Sequence, residues 1–258
     1  MKRFCGHLRF CLSLSVVVGL MASQASAGSL TLVVTAADGV STTITGGPLG
    51  TLTNGGNTLT VTSIAALNTF LNTNGSAVQF NSLAASSDFA PGGGVATGSF
   101  VTQSGSVYFD TALAGTGVVT VQAFQTGFVL PTGPAGVMQS SATANYTQAP
   151  TGSTETFTSS YNSTVNALPL TSTSTDVSQN NYSPSNNTAI PTFVTPFEVS
   201  NTTAVVLLPN LTNQATDGFS GSTTVTTTSV PEPASLALVF TGIPFVVVGW
   251  LRRRRAVA

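Results

Sequence analysis

Carboxylates are the only side chains in the long middle of this chain that ionise readily near neutral pH. No Lys, Arg or His occurs between Arg9 and Arg252, and no cysteine follows Cys11. The acids are Asp38, Asp88, Asp110, Glu155, Asp176, Glu198 and Asp217, followed by Glu232. Two carboxyls about 5–9.5 Å apart would form a glycosidase acid/base or acid/nucleophile pair, and Glu155 with Glu198 or Asp110 is the candidate pairing. Sugar-cleaving sites usually add His, Arg, Lys or several Trp, and the single Trp250 lies near the C-terminus. Asp88 in "SSDFAPGGG" and Asp217 in "ATDGFSG" read as turn-stabilising residues. Calcium is the inorganic partner that oxygen ligands alone would suit, but no D-x-D-x-D-G run occurs and the acids are widely spaced.

The missing residue types exclude several classes of function for this span. A Ser-His-Asp triad, a Cys-His pair, a lysine Schiff base and a thiolate or imidazole zinc site have no residues to build them. Nothing neutralises phosphates, so nucleic acid is excluded as a partner. Gly92-Gly93-Gly94 lacks the Lys and spacing of a phosphate loop and reads as a turn. The expectation is a non-enzymatic protein with no catalytic residue, no metal site and no cofactor.

The elements that must position these acids are strands. In "SLTLVVTA", Leu30, Leu32 and Val34 alternate with Thr31, Val33 and Thr35, the period of a pleated strand. Asp38-Gly39 then marks a type I′ hairpin into "VSTTIT". Further strands are expected at "NTLTVTS", "GSVYFD", "GVVTVQAFQ", "SATANYT", "TETFTSSY", "TAVVLL" and "STTVTTTS", all rich in residues that suit a half-buried pleated surface. "SIAALNTFLN" breaks the period. Ile64, Leu67 and Leu71 fall at helical spacing behind Ser63, a candidate N-cap, and Asn74-Gly75 ends the run. Thr171 to Asn187, "TSTSTDVSQNNYSPSNN", reads as an extended loop. The fold class expected for residues 28–229 is mainly β, an antiparallel β-sandwich with one short helix, followed by a C-terminal transmembrane helix.

The two ends carry every cation. Residues 1–27 have a basic start, an apolar stretch from Phe10 to Met21, and Ala25-Ser26-Ala27 as a cleavage site before Gly28. This is the pattern of a secretory signal peptide removed by signal peptidase. Ala234 to Leu251 is an uncharged run long enough for a membrane helix, with Pro244 as a kink and Trp250 near the interface. Arg252, Arg253, Arg254 and Arg255 follow it as a cytoplasmic stop-transfer block. Pro231-Glu232-Pro233 stands in front of the run, where two prolines hold the glutamate in a stiff, extended segment. The chain is therefore expected to cross the inner membrane once, with its middle outside. The mature middle carries no cysteine and no disulfide.

The ordered set "VPEPASLALVFTGIPFVVVGWLRRRR" resembles the PEP-CTERM sorting signal of Gram-negative envelope proteins. Its three parts correspond to Pro231, Glu232 and Pro233, to the run 234–251, and to Arg252–Arg255, and the likeness is confined to residues 230–258. The resemblance implies that an exosortase processes the chain near the PEP triplet and releases it to the cell surface or exterior. It also implies association with exopolysaccharide and biofilm, and a structural role in the envelope or matrix. The alternative is a membrane-anchored carbohydrate- or calcium-binding module. "ALNTFLNTNGSAVQFNSLAASSDFAPGGG" and the strands after it loosely resemble a secreted β-domain seen in such proteins, which implies no activity.

Overall fold

The structure, a computed structural model, describes residues 28–89, 98–167, 169–175 and 180–227. It is mainly β, with two antiparallel sheets and one short helix. The strands are β1 (Thr31–Thr35), β2 (Ser41–Ile44), β3 (Gly50–Thr53), β4 (Thr58–Val61), β5 (Val78–Ser87), β6 (Ser99–Phe109), β7 (Val118–Phe128) and β8 (Gly136–Thr147). They continue as β9 (Thr154–Tyr161), β10 (Val165–Asn166), β11 (Leu170–Thr173), β12 (Asn180–Tyr182), β13 (Ser185–Ile190), β14 (Phe197–Val206) and β15 (Thr216–Thr227). One sheet runs β10-β9-β14-β7-β1-β2, with β11 also on the outer side of β9. The other runs β12-β8-β15-β6-β5-β4-β3, with β13 sharing the β8 edge with β12.

Alternation builds the interior. Along β9 the buried positions are Glu155, Phe157, Ser159 and Tyr161, and along β15 they are Asp217, Phe219, Gly221, Thr223 and Val225. These rows face each other across the two sheets. A Cβ on Gly221 would lie 2.0 Å from the Phe157 ring, so a large residue of one sheet fills the space left by a missing side chain of the other. The interior is also polar. Gln103 donates to Thr203 across the sheets, Asn201 Nδ2 donates to the Val101 carbonyl at 3.0 Å, and Ser159 and Thr223 share a hydroxyl bond of 2.6 Å. An aromatic group of Phe89, Phe128, Phe197, Tyr161 and Phe193 closes one pole.

The helix α1 (Ile64–Thr73) lies where the sequence places it, against β5. Leu67 and Leu71 are fully buried and Ile64 partly so. Ser63 occupies the N-cap position without a side-chain cap bond. Asn68 binds both polar groups of the Phe80 backbone, donating to its carbonyl at 3.0 Å and accepting from its N–H at 2.8 Å. The register of β5 slips between Phe80 and Ser82, so Asn68 pairs groups that the irregular ladder leaves open.

Three expectations are corrected. The β1–β2 connection is not a type I′ turn: Gly39 N–H bonds Ala36 O, Ala36 N–H bonds Val40 O, and in the segment only Gly39 has positive φ, at 88°. That is a three-residue loop with glycine in the left-handed position. The stretch 171–187 is not one extended loop. It carries part of β11, all of β12 and the start of β13, polar edge strands with no apolar row to betray them. Asp217 is not a turn residue but the second residue of β15, fully buried.

Gly28 and Thr227 leave the domain at the same pole. Gln125 near the end of β7 donates to the Gly28 carbonyl, and Thr227 is in register with Gly136 at the start of β8. Bonds from Ser87 to Gln125 and from Ser99 to Leu130 tie the two sheets together there. The opposite pole carries the loops 148–153 and 207–215. Among the described residues no helix is long and apolar enough to cross a membrane. The expected signal peptide with Ala25 and Ala27, the Gly92–Gly94 turn, the helix 234–251, Pro231, Glu232, Pro233 and Arg252–Arg255 lie outside the described residues.

Candidate functional site

The carboxylates do not meet in the pairings read from the sequence. Glu198 precedes Val199, which is in register with Tyr161, whereas Glu155 is in register with Val205 on the same strand. The seven-residue offset separates them by about 23 Å at the usual strand rise. Glu198 accepts a bond from Ser163 at the surface. Asp110 follows β6 and accepts the Ala112 N–H at 3.0 Å, a local turn. Asp88 follows β5 and accepts the Phe100 N–H at 2.7 Å across the gap to β6. Burial raises its pKa, opposed by the bonds from Phe100 and from its own backbone amide.

Glu155 meets Asp217 instead. Glu155 points inward from β9 in one sheet and Asp217 inward from β15 in the other. Their strand neighbours complete a square: Ser172 on β11 is in register with Glu155, and Tyr146 on β8 is in register with Asp217. The Tyr146 hydroxyl and Ser172 Oγ bond across the sheets at 2.8 Å. All four are buried: Tyr146 and Asp217 are 0% exposed, Glu155 2% and Ser172 4%.

The electrostatics follow from that burial. Desolvation pushes Glu155 up to about 10, reinforced by the charge of Asp217 and by the bond between the two carboxyls. Desolvation likewise pushes Asp217 up to about 7, opposed by the Asn145 backbone amide and by the bond to Glu155. The Asn145 amide is close enough to oppose the rise but does not reach hydrogen-bonding geometry with either Asp217 oxygen. With both groups ionised, Glu155 Oε2, Asp217 Oδ1 and Asp217 Oδ2 have no partner. A proton on Glu155 pairs two of the three, because the acid then donates to one oxygen of the Asp217 carboxylate. Tyr146 is pushed up by burial and by both charges, and it stays neutral.

A shared proton between two carboxyls is a general acid/base device when substrate can reach it. Here neither carboxyl reaches solvent. The pair sits one residue inside the distal loops, which are latched together. Asn210 Nδ2 donates to Gln148 O at 2.8 Å, Asn213 Nδ2 to Gln148 Oε1 at 3.3 Å, and the Leu208 N–H to Ser153 Oγ at 3.0 Å. Among the described residues no three or more His, Cys, Asp and Glu side chains gather as a metal cluster.

A second feature lies on the outer face of the β8–β15–β6 strands. It is a groove of about 340 Å³ lined by the hydroxyls of Thr102, Ser104, Thr143, Ser183, Ser220 and Ser222, without a charged side chain. Thr143 and Ser220 share a bond of 2.7 Å across its floor. The groove continues past Asn145 to Tyr182, which is 44% exposed.

Sequence reasoning missed both features. The only trace of the acid pair was an acid at an inward position of an alternating strand, as in "TETFTSSY", where Glu155 keeps phase with Phe157 and Tyr161. Compared with known protein families and with curated protein sequences, the chain matches none.

Proposed function

We propose that the chain is an exported cell-surface or matrix protein with a structural rather than enzymatic role, routed by an exosortase that acts near Pro231-Glu232-Pro233. The observation that carries this reading is the distribution of charge. Every Lys and Arg lies in residues 2–9 or 252–255, and the body between them holds only acids. Such ends suit addressing and orientation in a membrane, and the body has no cation with which to hold anionic lipid or nucleic acid. The position of Gly28 and Thr227 at one pole supports the same reading, since a domain joined to its carrier there turns its other pole away from the membrane.

The uncharged hydroxyl groove, with Tyr182 beside it, favours contact with a neutral exopolysaccharide over an anionic one. An acidic body repels a polyanion and has no cation to bridge to it. Replacing Glu232 by Gln, or both prolines by Ala, is expected to leave a membrane-retained precursor, read as the intact mass of the protein in membrane and medium fractions. Unchanged release of the body by these variants refutes the sorting assignment. Retardation of the released protein in gels cast with hydroxyethylcellulose but not alginate is the expected mark of the groove, and its loss in Tyr182→Ala locates it.

A further inference from the structure

We propose that the Glu155–Asp217 pair is a calcium site, closed between the two sheets beneath the distal loops. An acid pair alone would not argue for a metal. Two further observations do.

Three of its four carboxylate oxygens lack a partner while their residues are at most 2% exposed, and a proton shared by the two carboxyls pairs only two of them, so one buried charge is left without compensation. The compensation also cannot come from a side chain anywhere in the body, because none of its residues is a Lys, Arg or His. A proton neutralises one of the two charges; a dication neutralises both.

The donor set selects the ion. Glu155 and Asp217 supply four oxygens, and the hydroxyls of Tyr146 and Ser172, joined across the sheets at 2.8 Å, bring the oxygens of the square to six. Six to eight oxygens without nitrogen or sulfur is the shell of calcium rather than zinc. Magnesium dehydrates reluctantly and usually keeps several waters, so a shell made wholly of protein oxygens favours calcium. Binding displaces to solvent whatever protons the two carboxyls hold, and no other group changes. Entry requires the latch between Gln148, Asn210 and Asn213 to open, and the pair lies directly under it. The site lies in the body and does not depend on how the chain is routed.

The test uses the full-length chain in detergent, stripped with chelator. Terbium stands in for calcium, and its luminescence is excited through tyrosine. The expected result is sensitised emission that calcium displaces and magnesium does not. Tyr146→Phe should lose most of it, although Tyr108, Tyr161 and Tyr182 remain. Calcium should also raise the unfolding temperature by roughly 5–10 °C at a hundredfold excess over the dissociation constant. The double variant Glu155→Gln, Asp217→Asn should show neither response. The inference is overturned by wild-type protein that gives no sensitised emission and no thermal shift up to about 10 mM calcium, well above the range of weak extracellular sites. It is overturned equally by an unchanged response in the double variant, or by emission that survives Tyr146→Phe in full.

Discussion

Raising the pH of the calcium-free protein from 5 to 8 acts directly on the Glu155–Asp217 pair. Both carboxyls have folded-state pKa values above their unfolded values of about 4.3 and 3.9. Glu155 is pushed up to about 10 and Asp217 up to about 7. Between the unfolded and folded values the native state holds protons that the unfolded chain has released, so stability falls as pH rises. Below about pH 4 both states are protonated and the pair carries no penalty. Each retained proton costs about 1.4 kcal/mol per pH unit. Between pH 6 and 8, Glu155 retains one throughout and Asp217 about half on average, which gives a loss of roughly 4 kcal/mol. That is a large part of the 5–15 kcal/mol typical of a domain. Among the described residues Tyr146 is the other titratable group that interacts with both carboxyls, and it does not ionise in this range. The assay is urea denaturation followed by far-UV circular dichroism at fixed salt with chelator present, from pH 4.5 to 8.5. The wild-type midpoint should fall steadily toward alkaline pH, contrary to the usual acid lability of proteins whose carboxylates are ion-paired. Glu155→Gln keeps a donor toward Asp217 and removes one titration, so its profile should be shallower by about 1.4 kcal/mol per unit and cross above wild type. Asp88, which burial also raises, is unchanged in that variant and cancels from the comparison. A wild-type protein as stable at pH 8 as at pH 5, or a variant profile parallel to wild type, would refute the reasoning.

Two further substitutions test the packing that holds the pair in place. Gly221→Ala puts a methyl group 2.0 Å from the Phe157 ring, so the sheets must part or the ring must leave its position, at a cost of about 1–3 kcal/mol in urea denaturation; a neutral result would mean that the two facing rows do not pack as described. Asn68→Ala strips the Phe80 backbone of both its bonds to α1 and should cost about 2–3 kcal/mol, with faster amide exchange in β5 around residue 80 as the local sign.

The two sheets were legible in the sequence because their central strands repeat with period two, and that period survives even where the inward residue is polar. "TETFTSSY" is a strand by its Thr and Phe, and the same pattern puts Glu155 inside, yet composition argues for leaving an acid in water. What decided the matter is tertiary: Asp217 comes inward from a strand of the other sheet some sixty residues later in the chain, and no local pattern couples the two. The same limit applies to Asp217 and to the edge strands. Asp217 stands in "ATDGFSG", whose Asp-Gly step signals a turn, but its neighbours Phe219 and Gly221 are set by Gly105, which faces Phe219, and by Phe157, which fills the space beside Gly221. β12 and β13 are polar in sequence and add to the outer side of β8 by backbone pairing, a form of order that side-chain periodicity does not encode. Burial of acids in a body without cations is therefore where local chemistry and global topology disagree most. Such disagreement persists in a folded protein when something outside the polypeptide, a proton or a metal ion, supplies the missing charge.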